Sequence, residues 1–171
     1  AMTSCGPHKP IYDPQSAQRV QMSFIDVKRA YFNAKIDREA APCFVDLPHE
    51  DPDHKDKCAE LLRHMYGTRP AADGWQEECS TALVRMGFVQ GLASPNVFRH
   101  NEKKISCSVH GDDFTTVGPK CEHDKFEDEL EAKYELKKGG RLGPGPNDAK
   151  EVTVLNRVLR WTPSGIEYEA D

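Results

Sequence analysis

The run His110-Gly111-Asp112-Asp113 constrains this chain more than any other four residues. Ile105 to Val109 and Phe114 to Val117 are strand-like stretches, and Gly111 lets the backbone reverse between them. The pattern predicts a tight hairpin with two adjacent carboxylates at its tip. At about 4 Å and an effective dielectric near 20, such a pair repels by roughly 4 kcal/mol. A plain turn tolerates this where water screens the charges, and Asp is common in turns. A hard divalent cation, which prefers oxygen ligands, would neutralise the same pair.

A second acidic position bears on that choice. Ser23-Phe24-Ile25-Asp26-Val27 sets one Asp inside a short apolar run. Buried without a partner it would be costly, so it reads either as a strand-end residue or as part of an acidic centre. If its strand lies beside the 105–117 hairpin, three carboxylates meet. That is the donor set of a two-metal site for in-line phosphoryl transfer.

The remaining elements follow from periodicity and breakers. Residues 1–21, with Gly6, Pro7, Pro10 and Pro14, read as an irregular arm. A strand is expected at 22–27, a short helix near 28–35 and a small strand at Cys43-Phe44-Val45. Leu61, Leu62 and Met65 predict a helix from Lys57 to Tyr66, ended by Gly67. A stronger helix runs from Ala71 to Met86. Strands near 96–100 and 104–110 follow, then the strand after Asp113, and a helix from Glu122 to Tyr134 with Phe126, Leu130 and Tyr134 on one stripe. Gly139 to Asn147 reads as a loop. Val152 to Trp161 reads as one strand, pairing with Ile166 to Tyr168 across Pro163-Ser164-Gly165. This order suits an α+β fold, an antiparallel sheet with helices packed on one face.

Four ordered motifs resemble the palm region of copia-type retrotransposon reverse transcriptases. Ile25-Asp26-Val27-Lys28-Arg29-Ala30-Tyr31-Phe32-Asn33-Ala34 is similar to the family's Asp-Val-Lys-Thr-Ala-Phe-Leu-Asn-Gly. Met65-Tyr66-Gly67-Thr68-Arg69-Pro70-Ala71-Ala72-Asp73-Gly74-Trp75 is similar to Leu-Tyr-Gly-Leu-Lys-Gln-Ala-Pro-Arg-Ala-Trp. Gly87-Phe88 and Ser94-Pro95-Asn96-Val97-Phe98 resemble Gly-Phe…Asp-Pro-Ser-Leu-Phe, and His110-Gly111-Asp112-Asp113 stands where the family has Tyr-Val-Asp-Asp. The resemblance runs from Phe24 to Tyr134; Val154 to Glu169 fits less well.

The resemblance implies a palm-like, ferredoxin-like β-α-β-β-α-β domain over 22–171. It implies an RNA-directed DNA polymerase using Mg²⁺ or Mn²⁺, with Asp26, Asp112 and Asp113 as catalytic, metal-binding carboxylates. Tyr31 falls where the family keeps an aromatic ring under the incoming sugar. Lys28 and Arg69 are the other implied substrate contacts, and the implied partners are a primer–template and deoxynucleotide triphosphates. Trp75 reads as core. Three departures stand out. Pro70 replaces a Gln that helps place the nucleotide, and proline offers neither that side chain nor an N–H. His110-Gly111 removes an aromatic near the primer end. Asp73 replaces a basic residue.

Charge points the same way. The formal net charge is −5, and phosphate backbones repel acidic surfaces. Local basic groups remain: Lys28, Arg29 and Lys35, and Lys137, Lys138 and Arg141. The family has a basic fingers region before the first motif and a thumb after the palm, and neither is expected in this length. Positioning supplies most of phosphoryl-transfer catalysis. The expectation is therefore a palm with its acidic triad intact and weak or no polymerase activity as this chain. The competing expectation is a domesticated, non-catalytic subunit that binds other proteins in a larger assembly. A zinc site at His49, His54 and Cys58 is a third, lesser reading.

The six cysteines are scattered, without a Cys-x-x-Cys. They suggest free thiols and an intracellular, reducing compartment. Neither a membrane-spanning run nor a signal peptide is evident in the sequence.

Overall fold

The computed structural model describes residues 19–39 and 41–169. Its frame is a six-stranded antiparallel sheet. In chain order the strands are β1 (Val20–Val27), β4 (Val89–Gln90), β5 (Val97–His100), β6 (Ile105–His110), β7 (Asp113–Pro119) and β8 (Leu136–Leu142). In space they lie β4-β5-β6-β7-β1-β8. A 3-10 helix, Ala30–Asn33, follows β1. Two α-helices, α1 (Ala71–Arg85) and α2 (Lys120–Glu131), complete the frame. The chain is α+β, with mostly antiparallel sheets, as its periodicity implied.

Both helices pack on one face of this sheet. Alternation along each strand sends Ile25, Val27, Phe98, Ile105, Cys107, Val109 and Phe114 to that face. There they meet Trp75, Cys79, Ala82 and Leu83 of α1 and Phe126 and Leu130 of α2. Trp75 is 2 % exposed, and its ring meets Tyr134 edge-on at 5.4 Å between centroids.

Polar groups also enter between α2 and the sheet. The Ser23 hydroxyl donates to Glu127 at 2.8 Å, and Arg141 reaches Glu127 at 2.8 Å. The His123 ring bonds the Thr116 hydroxyl at 2.9 Å and the Gln21 carbonyl at 3.0 Å. Buried Glu127 is thus fully partnered, as a charge inside a protein must be.

Two smaller sheets lie outside the frame. β2 (Cys43–Asp46) pairs with β3 (Cys58–Leu61). β9 (Glu151–Val154), β10 (Arg157–Thr162) and β11 (Gly165–Glu169) form a meander.

Several expectations are corrected. The arm at 1–21 ends early, because β1 already begins at Val20; residues 1–18 lie outside the described part. The helix near 28–35 is a single 3-10 turn, entered through Arg29 at φ +53°. The helix at Lys57–Tyr66 is absent. Cys58–Leu61 is instead a strand that bonds Cys43–Asp46, and Leu62, one of the residues behind the helical reading, is 60 % exposed. The loop at Gly139–Asn147 is half strand. β8 runs through Gly139 and Gly140 and bonds β1 across a register shift between Ser23 and Ile25. Gly140 there takes a positive φ of 91°, a conformation that glycine adopts at little cost. Val152–Trp161 is two strands, reversed at Leu155 and Asn156, both with positive φ (49° and 61°). That pair of left-handed residues is the signature of a two-residue hairpin turn. The final helix is Lys120–Glu131, starting earlier and ending before Tyr134.

Candidate active site

Hydrogen-bond register decides where the carboxylates fall. Across β6, β7, β1 and β8 the paired residues form one row: His110, Asp113, Asp26 and Lys137. Paired residues on antiparallel strands share a face, with Cβ atoms about 5 Å apart. All four therefore lie on the face opposite the helices. Two acids stand side by side, and a basic side chain flanks them at each end.

Asp112 sits next to this row, in the two-residue loop between β6 and β7. Gly111, at φ +62°, supplies the left-handed residue that the tight reversal needs. The loop is anchored from two sides. The Val27 amide donates to the Asp112 carbonyl at 2.9 Å, and the Trp75 indole N–H donates to the Gly111 carbonyl at 2.7 Å. Asp26, far away in sequence, thus shares one end of the central strands with Asp112 and Asp113.

Electrostatics register the crowding. Burial, then the charges of Asp112 and Asp26, push the Asp113 carboxyl above its usual range; His110 and Lys137 oppose this more weakly. The Tyr66 hydroxyl is pushed up by burial and by Asp112, with Asp26 contributing. Tyr66 is therefore a neighbour of the centre. Its ring lies 4.4 Å from that of Tyr31 and 5.9 Å from that of Phe32. This brings Tyr31 to the edge of the acidic group.

The other implied contacts do not converge. Lys28 turns away to Glu135, at 2.7 Å. Arg69 is exposed in the turn before α1 and makes no ion pair among the described residues. Of the second basic group, Lys138 pairs with Glu127 and Glu131, and Arg141 with Asp124 and Glu127. Lys137 alone of the three faces the acidic row. Sequence reasoning gave it no role of its own, because its strand read partly as a loop; Tyr66 was hidden inside a motif read only for its family likeness.

The meander overlooks the same face. A cavity of about 260 Å³ lies between Phe24, Asp26, Asp113, Lys137 and Gly139 on the sheet and Val152–Leu155 at the tip of the β9–β10 hairpin. A larger groove, about 1060 Å³, runs past Lys35, Arg63, His64, Asp73, Glu77 and Lys133 and includes none of the three carboxylates.

No three His, Cys, Asp or Glu side chains among the described residues are placed to hold a metal ion. His49 and His54 meet only ring to ring, at 5.6 Å. The donor chemistry at the acidic end nonetheless fits a hard cation. Magnesium typically keeps several waters and takes one or two carboxylates plus substrate phosphates, not an all-protein cage. Asp26, Asp112 and Asp113 supply carboxylates of this kind, and the charges of Asp112 and Asp26 on Asp113 are what a cation would offset.

The chain is an α+β protein with an antiparallel central sheet and acids paired at one end of its central strands. The family model described as reverse transcriptase (RNA-dependent DNA polymerase) matches residues 15–143. The chain belongs to the reverse transcriptase family. No curated protein matches it significantly.

Proposed function

We propose that this chain is the palm of an RNA-directed DNA polymerase of the copia retrotransposon type, with weak or no unaided extension activity. One observation carries the reading: Asp26 and Asp113 are cross-strand partners, with Asp112 in the adjoining turn. The palm-like, ferredoxin-like assignment is supported by the strand order β8-β1-β7-β6, with α1 between β1 and β6 in the chain and α2 between β7 and β8.

The substrates would be a primer–template and a deoxynucleotide triphosphate. Divalent cations, when bound, would neutralise charge on the attacking and leaving oxygens. The chain's own part is narrower. Asp26 and Asp112 would hold Mg²⁺ or Mn²⁺, with Asp113 in support. Tyr31, braced by Tyr66, would pack under the sugar. Pro70 offers no side-chain contact to the nucleotide, and Lys28 is engaged elsewhere.

A second reading has its own support. Lys28, Lys138 and Arg141, near the acidic end, are all tied to acidic partners, and the formal charge of the chain is −5, which disfavours a phosphate backbone. A non-catalytic subunit kept for protein contacts would look the same.

Thermal unfolding with added Mn²⁺ separates the two. A cation that binds only the folded chain stabilises it by about 2.7 kcal/mol at a hundredfold excess over Kd, a rise of roughly 5–10 °C in Tm for a domain of this size. The polymerase reading expects that rise, and expects Asp26→Asn to abolish it. A flat response in the unaltered chain favours the structural subunit. Primer extension tests the activity itself: robust extension that Asp112→Asn removes would overturn the weak-activity half of the proposal.

A further inference from the structure

We propose that Trp75 is a positioning residue of the acidic centre, not only a core side chain. The proposal rests on the cation-binding reading given above.

Trp75 lies in the second turn of α1 and is 2 % exposed. A buried indole must place its N–H on some acceptor. Here the acceptor is the carbonyl of Gly111, at 2.7 Å, in the loop that carries Asp112. The β6–β7 ladder closes that loop at the His110 and Asp113 pair. The space beside Gly111 is open: a side chain built there would meet nothing within 4 Å. The loop's two successive carbonyls are held from two directions, Gly111 by Trp75 and Asp112 by the Val27 amide. Since Val27 follows Asp26, the second bond ties the loop to the strand bearing the other acid. The first ties it to a helix.

The helix end of this link is itself braced. Tyr134 packs edge-on against the indole, its hydroxyl donates to Glu78 at 3.0 Å, and Lys133 pairs with Glu78 at 2.7 Å. Indole, ring and carboxylate form a chain from the outer side of α1 to the hairpin tip. The orientation of the Gly111–Asp112 peptide, and with it the direction of the Asp112 side chain, is set by that chain. Partners of this kind, one step behind the ligands, typically change metal affinity 10–100-fold when removed.

Magnesium alone, titrated into the ¹⁵N-labelled chain, tests this. The chain has two tryptophans, Trp75 and Trp161, and Trp161, on β10, serves as the internal control. The expected result is a saturable shift of the Trp75 indole N–H signal, with the same midpoint as the Asp112 and Asp113 amides, while the Trp161 indole stays still. Trp75→Phe keeps an aromatic ring in the core and removes the donor; its magnesium midpoint should rise roughly tenfold or more. An unchanged midpoint in a folded Trp75→Phe overturns the proposal. If that variant does not fold, the unaltered chain decides, since a Trp75 indole that stays still while the Asp112 amide shifts overturns it equally. Absence of any magnesium response at Asp112 and Asp113 overturns the cation reading as well, and so is told apart from failure of the Trp75 link.

Discussion

Single side chains in this fold are placed against their own preferences. Gly74 sits inside α1, where glycine costs about 1 kcal/mol relative to alanine. The reason is His64: a Cβ at Gly74 would fall 2.2 Å from its Nε2 and within 3 Å of two further ring atoms. Not just the tip but the whole ring would have to leave. Gly74→Ala is therefore expected to destabilise by about 1–3 kcal/mol despite its better helix propensity. Adding His64→Ala should recover part of that loss, read as a coupling free energy in a urea-denaturation double-mutant cycle. Asp113 shows the same tension electrically. Its raised folded pKa means that the ionised form is disfavoured in the native state. The penalty is absent below the unfolded pKa and complete once pH exceeds the folded pKa. His110 and Lys137 offset part of it.

Elements were legible where periodicity was long and local. α1, α2, β6 and β7 could be read from apolar spacing and from Gly111, and the acidic hairpin followed directly. Cys58–Leu61 could not, because its strand character comes from partner Cys43–Asp46 and not from its own pattern. β8 was obscured by Gly139 and Gly140, which read as loop residues although their strand bonds β1. The acids themselves were visible one by one. That Lys137 would stand beside Asp26 was not, since register is a tertiary fact. The segment after β8 makes a testable case. Asp148 accepts from Gln21 at 2.6 Å and from the Gly145 amide at 2.7 Å, and pairs with Arg19 at 3.3 Å. Burial opposes its ionisation, but these donors and Arg19 hold its carboxyl below the ordinary range. A depressed folded pKa stabilises above the unfolded value, about 3.9, and the gain is lost as pH falls through the folded one. Asp148→Asn should lower Tm at pH 7, and the gap to the unaltered chain should narrow as pH falls below the unfolded value and through the depressed folded one.

For the molecule as a whole, charge is the main constraint. The formal charge is −5, and Lys28, Lys138 and Arg141 are already in ion pairs, so the net field opposes a phosphate backbone. Each phosphate neutralised on a duplex adds about −0.9 to the slope of log K against log salt. We expect this chain alone to bind an RNA–DNA hybrid weakly, with a slope shallower than about −3, measured by fluorescence anisotropy between 50 and 200 mM salt. A steep slope would show a basic track that the ion pairs conceal. Among the described residues no helix is long and apolar enough to cross a membrane.

The apposition of Asp26 and Asp113 also bears on how the polypeptide reaches its native state. β6 and β7 are joined by a two-residue loop and can zip early; β1 must arrive from far along the backbone. When it docks, the Val20 end meets Pro119 with no opposing charge, whereas the other end closes like charge on like charge. Zipping should thus begin at Val20 and finish at Asp26. The acidic end is the last stretch to close, and the bonds from the Val27 amide and the Trp75 indole to the hairpin loop clasp it once it has.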